Sequence, residues 1–431
     1  MKSMKTLLCA CLGLAASLVA ANLAQAVDLV LNGTGSSAGR QYAFLIPTDT
    51  QLCDNTQTPT VYQSAENPPN RTEWQCRLSG GNRTYRYAAT GSADGYTKQP
   101  NGASAQAAFL DISACPTPTA ATIGGRSVNQ AICGTVQNPA PSVNMIVHFG
   151  GADVKASSLN VTANGETQSP PASGHLTANP IVTVPFAIVV GGGVRAGGGG
   201  TLLNLTQAEV RQILSGDVQA DGGDWTTLGH DTNSGNKSIV VCQRTVISGT
   251  LATLMQTVMQ SPGWFTSINP VASAGNVFNP SSSNVKTCVE NNPNSIGYID
   301  VDTVPNLLNG AHQVALDGFL PSNPALADGV DGVGKTRDVR CGKYIYWADW
   351  NIVTRNAGIE AAPIGAAAGS NALLALYQAR AIATNPLKQF WVDQTNTFVF
   401  KNADAGPHHW FTPNGNNRNI ATECSNAGSI Q

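Results

Sequence analysis

Short apolar runs that end in glycine, serine, threonine and aspartate recur along this chain, and that recurrence leaves few architectures open. Val27 to Leu31 runs into Asn32-Gly33-Thr34-Gly35-Ser36-Ser37. Tyr85 to Ala89 runs into Gly91-Ser92-Ala93-Asp94-Gly95, and Met145 to Phe149 into Gly150-Gly151-Ala152-Asp153. Apolar and β-branched runs of this length read as strands, and the small residues after them allow tight turns. A fourth run, Ser238 to Cys242, leads into Arg244-Thr245-Val246-Ile247-Ser248-Gly249-Thr250. Leu251, Leu254, Met255, Val258 and Met259 then fall at helical spacing. Pro180 to Val190 and Ser295 to Val301 are further strands, and Asn371 to Ala383 is a late helix. Thr206 and Glu209 form a capping box, in which each side chain bonds a free backbone amide of the other. The helix it opens runs through Val210, Ile213 and Leu214 and stops at Gly216. Strands alternating with helices predict an α/β architecture with largely parallel sheets. Residues 116–142, tied by Cys115 and Cys133, and the glycine tract 191–200 read as insertions. The polar stretch holding Cys53 and Cys76 reads as a disulfide-pinned excursion.

Composition narrows the function classes. The chain has 431 residues, with 24 Lys+Arg against 26 Asp+Glu, 44 Gly and 24 Pro, and only 12% of residues charged. This length favours two lobes over one core, and 42% hydrophobic residues suffice to bury them. A formal charge of −2 argues against a nucleic-acid binder, which needs clustered Lys and Arg. Gly and Pro throughout rule out a coiled coil. Past the N-terminus no apolar run reaches the roughly 18–20 residues of a membrane helix.

Residues 1–26 have the form of a secretory signal: Lys2 and Lys5, an apolar stretch from Leu7 to Ala20, and Ala24-Gln25-Ala26 as the cleavage site. A lipid anchor at Cys11 is disfavoured, because the apolar stretch before it is too short. Export would leave Cys53, Cys76, Cys115, Cys133, Cys242, Cys288, Cys341 and Cys424, an even set in an oxidising compartment. Roughly a hundred pairings are open to eight cysteines. The simplest joins sequential neighbours: 53–76, 115–133, 242–288 and 341–424. Zinc is disfavoured by the lack of a C-x-x-C pair and by the adjacency of His408 and His409. No cofactor is expected.

The turns suit anion capture. The first amides of a helix lack intrahelical partners and carry the positive end of its dipole. Small residues let an oxyanion approach the backbone, hydroxyls add donors, and an arginine adds a two-pronged charged contact. In sequence order, these segments resemble the periplasmic phosphate-binding proteins of ABC transporters, especially their DING-type relatives. Leu205 to Gly216, with Asp224-Trp225 and Leu228-Gly229, is similar to the family's helix ending in "IFxG" followed by "W…LG". Arg244 to Thr250 resembles "R-x-[DE]-x-S-G-T", and Asn294 to Tyr298 resembles "GxIGY". His148 to Asp153 resembles "FxGSD", and Thr90 to Gly95 resembles "VGSGxG". The resemblance covers most of residues 28–300.

It implies a two-lobed α/β type II periplasmic binding fold with a ligand cleft between the lobes. Lobe 1 would take 27–185 and return over 304–431, and lobe 2 would take 186–303, with Pro180 to Val190 as the first crossing. It also implies a site of Ser36 or Ser37, Ser92, Asp153, Arg244, Ser248, Gly249 and Thr250. The aspartate's role follows from its chemistry. An ionised carboxylate only accepts hydrogen bonds, so it suits an oxyanion that bears a proton, such as hydrogen phosphate, and repels sulfate. The implied partners are inorganic phosphate or a similar oxyanion and an ABC transporter permease. The protein would be a periplasmic or secreted monomer, and not an enzyme.

The sequence departs from the family pattern in three places. Val246 stands where the family has an acidic residue two positions after the arginine, so Arg244 loses its usual orienting partner. Ala38-Gly39 replaces an aromatic or leucine followed by proline, and Asp94 puts a negative charge beside the second turn. Two other functions stay open: a cell-surface structural or adhesive protein with a degenerate site, and a secreted phosphatase. The latter would need a base near Ser248. Gly329 to Thr336 matches a nucleotide-binding loop in letters, but no buried strand precedes it.

Overall fold

A computed structural model describes residues 28–101, 105–163, 165–260, 275–325, 334–358, 370–393, 399–401 and 411–413. The fold is mixed α/β, and its main sheet has 15 strands among the described residues. The unbroken path uses β1 (Leu29–Gly35), β2 (Thr60–Ser64), β3 (Arg71–Leu78), β4 (Gly81–Ala89), β5 (Thr119–Ile123), β6 (Arg126–Cys133), β7 (Phe149–Ala152), β8 (Leu176–Val190), β9 (Val240–Arg244), β10 (Asn276–Asn279), β11 (Ser295–Asp300) and β12 (Trp347–Arg355). Their order across the sheet is β10-β9-β11-β8-β12-β7-β1-β4-β3-β2-β6-β5. The helices that matter for the site are α1 (Arg40–Leu45), α2 (Ser92–Thr97), α3 (Gln207–Ser215), α4 (Gly249–Leu254), α5 (Ser282–Asn291) and α6 (Asn371–Ala383).

β8 links the two halves of this sheet. From Ile181 to Val190 every residue is buried, as its continuous apolar sequence requires. Leu176 to Pro185 pairs antiparallel with β12, and Phe186 to Val190 pairs antiparallel with β11. The register shifts between Pro180 and Val182, next to a proline that cannot donate to the ladder. Each fully buried Val, Ile or Phe here stabilises by about 1.5–3 kcal/mol relative to exposure, which explains why so long a strand sits at the centre.

Several sequence expectations need correction. The sheet is mixed rather than largely parallel, because β8 and β12 run antiparallel to their neighbours and β3 and β5 belong to hairpins. Residues 116–142 contain the β5–β6 hairpin rather than a loop, and β6 lies parallel to β2. It buries Val128 against the main core and Ala131 and Cys133 in a separate small cluster. The excursion around Cys53 and Cys76 contains β2 and β3. Two glycine stretches expected as turns are strand: Gly33 to Gly35 pairs in parallel with Phe149 to Gly151. The strand expected over Met145 to Phe149 is broken, with one strand ending at Ile146 and β7 starting at Phe149. β12 has no counterpart among the strands expected from the sequence.

Three disulfides join Cys53–Cys76, Cys115–Cys133 and Cys242–Cys288. Cys341 is also disulfide-bonded, and Cys424 lies outside the described residues. The Cys242–Cys288 bond ties β9 to α5 across a sequence separation of 46. α6 begins at Ser370, whose hydroxyl accepts from Leu373 N. It buries Leu373, Leu374, Tyr377 and Ala381, and Tyr42 of α1 donates to Ala381 O at 2.6 Å. The 1–26 segment lies outside the described residues, as does most of the Gly329 to Thr336 stretch. Among the described residues no helix is long and apolar enough to cross a membrane.

Candidate functional site

Parallel strands aim their carboxyl ends in one direction, and the loops there make the usual ligand crevice of α/β sheets. β1, β4 and β7 are mutually parallel neighbours in one half of the sheet, and β9, β10 and β11 are so in the other. The residues after these six strands meet. After β1 comes the Ser36 to Gly39 turn, after β4 comes Ser92 at the start of α2, and after β7 comes Asp153. From the other half come the Thr245 to Ser248 turn before α4, Ser282 at the start of α5, and Asp300 at the end of β11.

Asp153 is the centre of the first half. Ser36 Oγ donates to its Oδ1, and Ser92 Oγ donates to its Oδ2 at 3.1 Å. Ser92 Oγ in turn accepts from Asp153 N at 3.0 Å, and Ser36 Oγ accepts from Gly39 N at 2.9 Å. The serines are therefore fixed at both ends and present their oxygens at the carboxylate. Burial raises the Asp153 pKa to about 7. The charge of Asp300 acts in the same direction, and the two hydroxyls and Arg244 oppose it. His148, directly before β7, takes no part: its Nδ1 accepts from Asn32 N at 3.0 Å. Burial, then the charges of Arg355 and Arg86, lower its pKa to about 4, so it is a neutral core histidine.

The second half supplies the cation. Arg244 is fully enclosed, and burial lowers its pKa. Nε donates to Asn279 O at 3.3 Å, Nη1 to Ser282 Oγ at 3.0 Å and Nη2 to Pro280 O at 3.0 Å. Ser248 caps α4 by accepting from Leu251 N at 3.1 Å. Gly249 follows, and a Cβ there would overlap the Ser92 hydroxyl and approach Asp153 Oδ2 at 2.8 Å. Only glycine lets α4 come this close. Thr250 Oγ1 is buried and has no hydrogen-bond partner. Ser37 Oγ lies 3.4 Å from Ser282 Oγ, closing the contact between the halves.

All eight residues expected from the sequence thus come together: Ser36, Ser37, Ser92, Asp153, Arg244, Ser248, Gly249 and Thr250. Three further residues in the same cluster are not among those expected: Arg40, Ser282 and Asp300. Asp300 accepts from Ser282 Oγ at 3.2 Å, and Ser282 accepts from Arg244. Arg244 thereby has a carboxylate partner one side chain away, although Val246 stands beside it in sequence and is buried. Arg40 Nη2 lies 3.6 Å from Asp300 Oδ2. Asp94 stands in the first turn of α2, beside the second turn, and accepts from the Thr97 hydroxyl at 3.4 Å.

Comparison with solved structures finds phosphate-binding proteins among those similar to this chain. One is a Clostridium perfringens protein, described as a putative phosphate ABC transporter substrate-binding protein and solved with bound phosphate. It is 12% identical, the match covers 84% of this chain and 99% of that one, and the TM-score is 0.47. A phosphate-binding protein from Stenotrophomonas maltophilia is 15% identical, with 85% and 91% covered and a TM-score of 0.41. A high affinity periplasmic phosphate-binding protein, PfluDING, is 14% identical, with 85% and 90% covered and a TM-score of 0.40. No family model and no curated protein matches this chain.

Proposed function

We propose that this chain is an exported solute-binding protein that captures phosphate or a related tetrahedral oxyanion between two lobes, for import or sensing. The lobes are 186–303 on one side and 27–185 with 304–431 on the other. The observation that carries this reading is Asp153, a fully enclosed carboxylate set between two serine hydroxyls, with Gly249 brought against it from the other half of the sheet and the charge of Arg244 acting on it. Ser37, Ser248 and Thr250 supply hydroxyl donors, Ser36 and Ser92 orient the Asp153 carboxylate, the Ser248 to Thr250 segment supplies amides, and Arg244 supplies charge. An ionised Asp153 accepts the proton of hydrogen phosphate and has nothing to accept from sulfate.

Binding fits better than catalysis. The four described histidines, His148, His175, His230 and His312, bond to backbone groups or to Glu209 and not to a serine of the site. A phosphatase mechanism would need such a base. An ABC transporter permease is the partner, the location is periplasmic or extracellular, and the working form is a monomer.

A thermal-shift panel tests the reading. A ligand that binds only the folded state stabilises it by about 2.7 kcal/mol at a hundredfold excess over Kd. Phosphate and arsenate should raise the melting temperature by several degrees, with a smaller rise for sulfate. If phosphate, arsenate, sulfate and tungstate all leave it unmoved, the binding reading falls and the structural or adhesive one takes its place.

A further inference from the structure

We infer that Arg40 is a second guanidinium of the anion site, set opposite Arg244 across Asp300, and that the ligand it recognises is a doubly charged tetrahedral oxyanion. This rests on the oxyanion reading above and deepens it.

Arg40 is the first residue of α1, directly after the Ser36 to Gly39 turn, and it is 1% exposed. Its Nη2 stands 3.6 Å from Asp300 Oδ2, an ion-pair distance too long for a hydrogen bond. Nε, Nη1 and Nη2 are all buried with no hydrogen-bond partner. Arg244 differs, since each of its three guanidinium nitrogens donates to the protein. A buried guanidinium with all its donors unused is a costly arrangement in a folded protein. Its neighbours are the cluster already described. One carboxylate, Asp300, meets Arg40 through Oδ2 and, through Oδ1 and Ser282, meets Arg244.

Charge counting gives the unused donors a purpose. With Arg244 as the lone cation, the buried carboxylates Asp153, Asp300 and Asp302 would outnumber it, and a dianion would be repelled. Arg40, whose charge acts on both Asp300 and Asp302, adds a second cation. It also provides the flat, two-pronged donor geometry that matches two oxygens of one tetrahedral anion. A purely structural Arg40, holding Asp300 in place, would be expected to bond it directly.

The test is titration calorimetry with inorganic phosphate on the full mature chain, together with the melting temperature in phosphate-free buffer. The proteins are the wild type, Arg40→Gln and Arg40→Lys. Arg40→Gln should weaken phosphate binding at least a hundredfold, on the scale of losing a buried charged contact; its phosphate-free melting temperature should fall as well, because Asp300 loses its buried ion-pair partner. Arg40→Lys should fall between, about tenfold weaker than wild type, because the charge stays and the fork is lost. Wild-type affinity in Arg40→Gln overturns the inference and leaves the oxyanion reading standing. If Arg40→Gln does not fold, Arg40→Lys decides, and unchanged affinity there overturns it. A wild-type protein that takes no phosphate overturns both.

Discussion

At the residue scale, Asp153 carries most of the chemistry and a clear energetic signature. Its folded pKa of about 7 lies above the ordinary carboxylate value, with burial as the largest cause. The folded state therefore holds a proton that the unfolded chain releases near pH 4. Folding is penalised as pH rises from about 4 to about 7, and every tenfold difference in proton affinity between the two states is worth about 1.4 kcal/mol. Asp153→Asn removes the ionisable group. The phosphate-free variant should be more stable than wild type by a few kcal/mol at about pH 8, and the gain should vanish near pH 4. Urea titrations at the two pH values check this, and an equal difference at both would refute the assignment. Asp153 is legible in the sequence through the resemblance of His148 to Asp153 to the family's "FxGSD" segment. Arg40 and Asp300 are not legible there. They lie far apart in the chain, and only the fold brings their charges to 3.6 Å.

At the element scale, local chemistry fixes some pieces outright. Thr206 and Glu209 cap α3 reciprocally, and Gly216 ends it in the left-handed conformation, as the sequence predicts. α6 occupies the expected span, with Ser370 as its cap. β12 is hidden in the sequence because Asp349 and Asn351 interrupt its apolar residues, and their hydrogen bonds to Thr183 and Ala152 become visible only once neighbours are in place. The hairpin of β5 and β6 is hidden for a related reason: short polar strands at a sheet edge look like loops. α5 bears Ser282, and its attachment to β9 through Cys242–Cys288 therefore bears on the site. Replacing both cysteines with alanine should lower stability by about 3–4 kcal/mol, the loop-closure value for this separation. Denaturant unfolding of the double variant measures it. No loss would mean that packing of Val285 and Val289 alone holds α5.

At the scale of the whole molecule, net charge and ligand charge have the same sign. The chain carries −2 overall, yet the proposed ligand is an anion. The magnitudes favour the site. Charges beyond about 8 Å are largely screened at physiological salt. A guanidinium about 4 Å from an anionic oxygen contributes about 4 kcal/mol at an effective dielectric near 20. Helix-terminal amides of α4 and the hydroxyls around Asp153 add fixed dipoles. Two arginines, both at or below 1% exposure, therefore outweigh the diffuse negative field. Close approach of backbone to anion needs small residues, and the halves of the sheet meet at Gly249 for that reason.

The central claim is that Asp153, Arg244 and the hydroxyls around them select a protonated tetrahedral oxyanion. Titration calorimetry of phosphate-stripped protein at about pH 8, with phosphate and then sulfate, tests it most directly. The account predicts saturable binding of one phosphate per chain and at least a hundredfold weaker binding of sulfate, since an ionised carboxylate facing an unprotonated oxygen costs several kcal/mol. Equal affinity for the two anions, or no heat with phosphate, would contradict it.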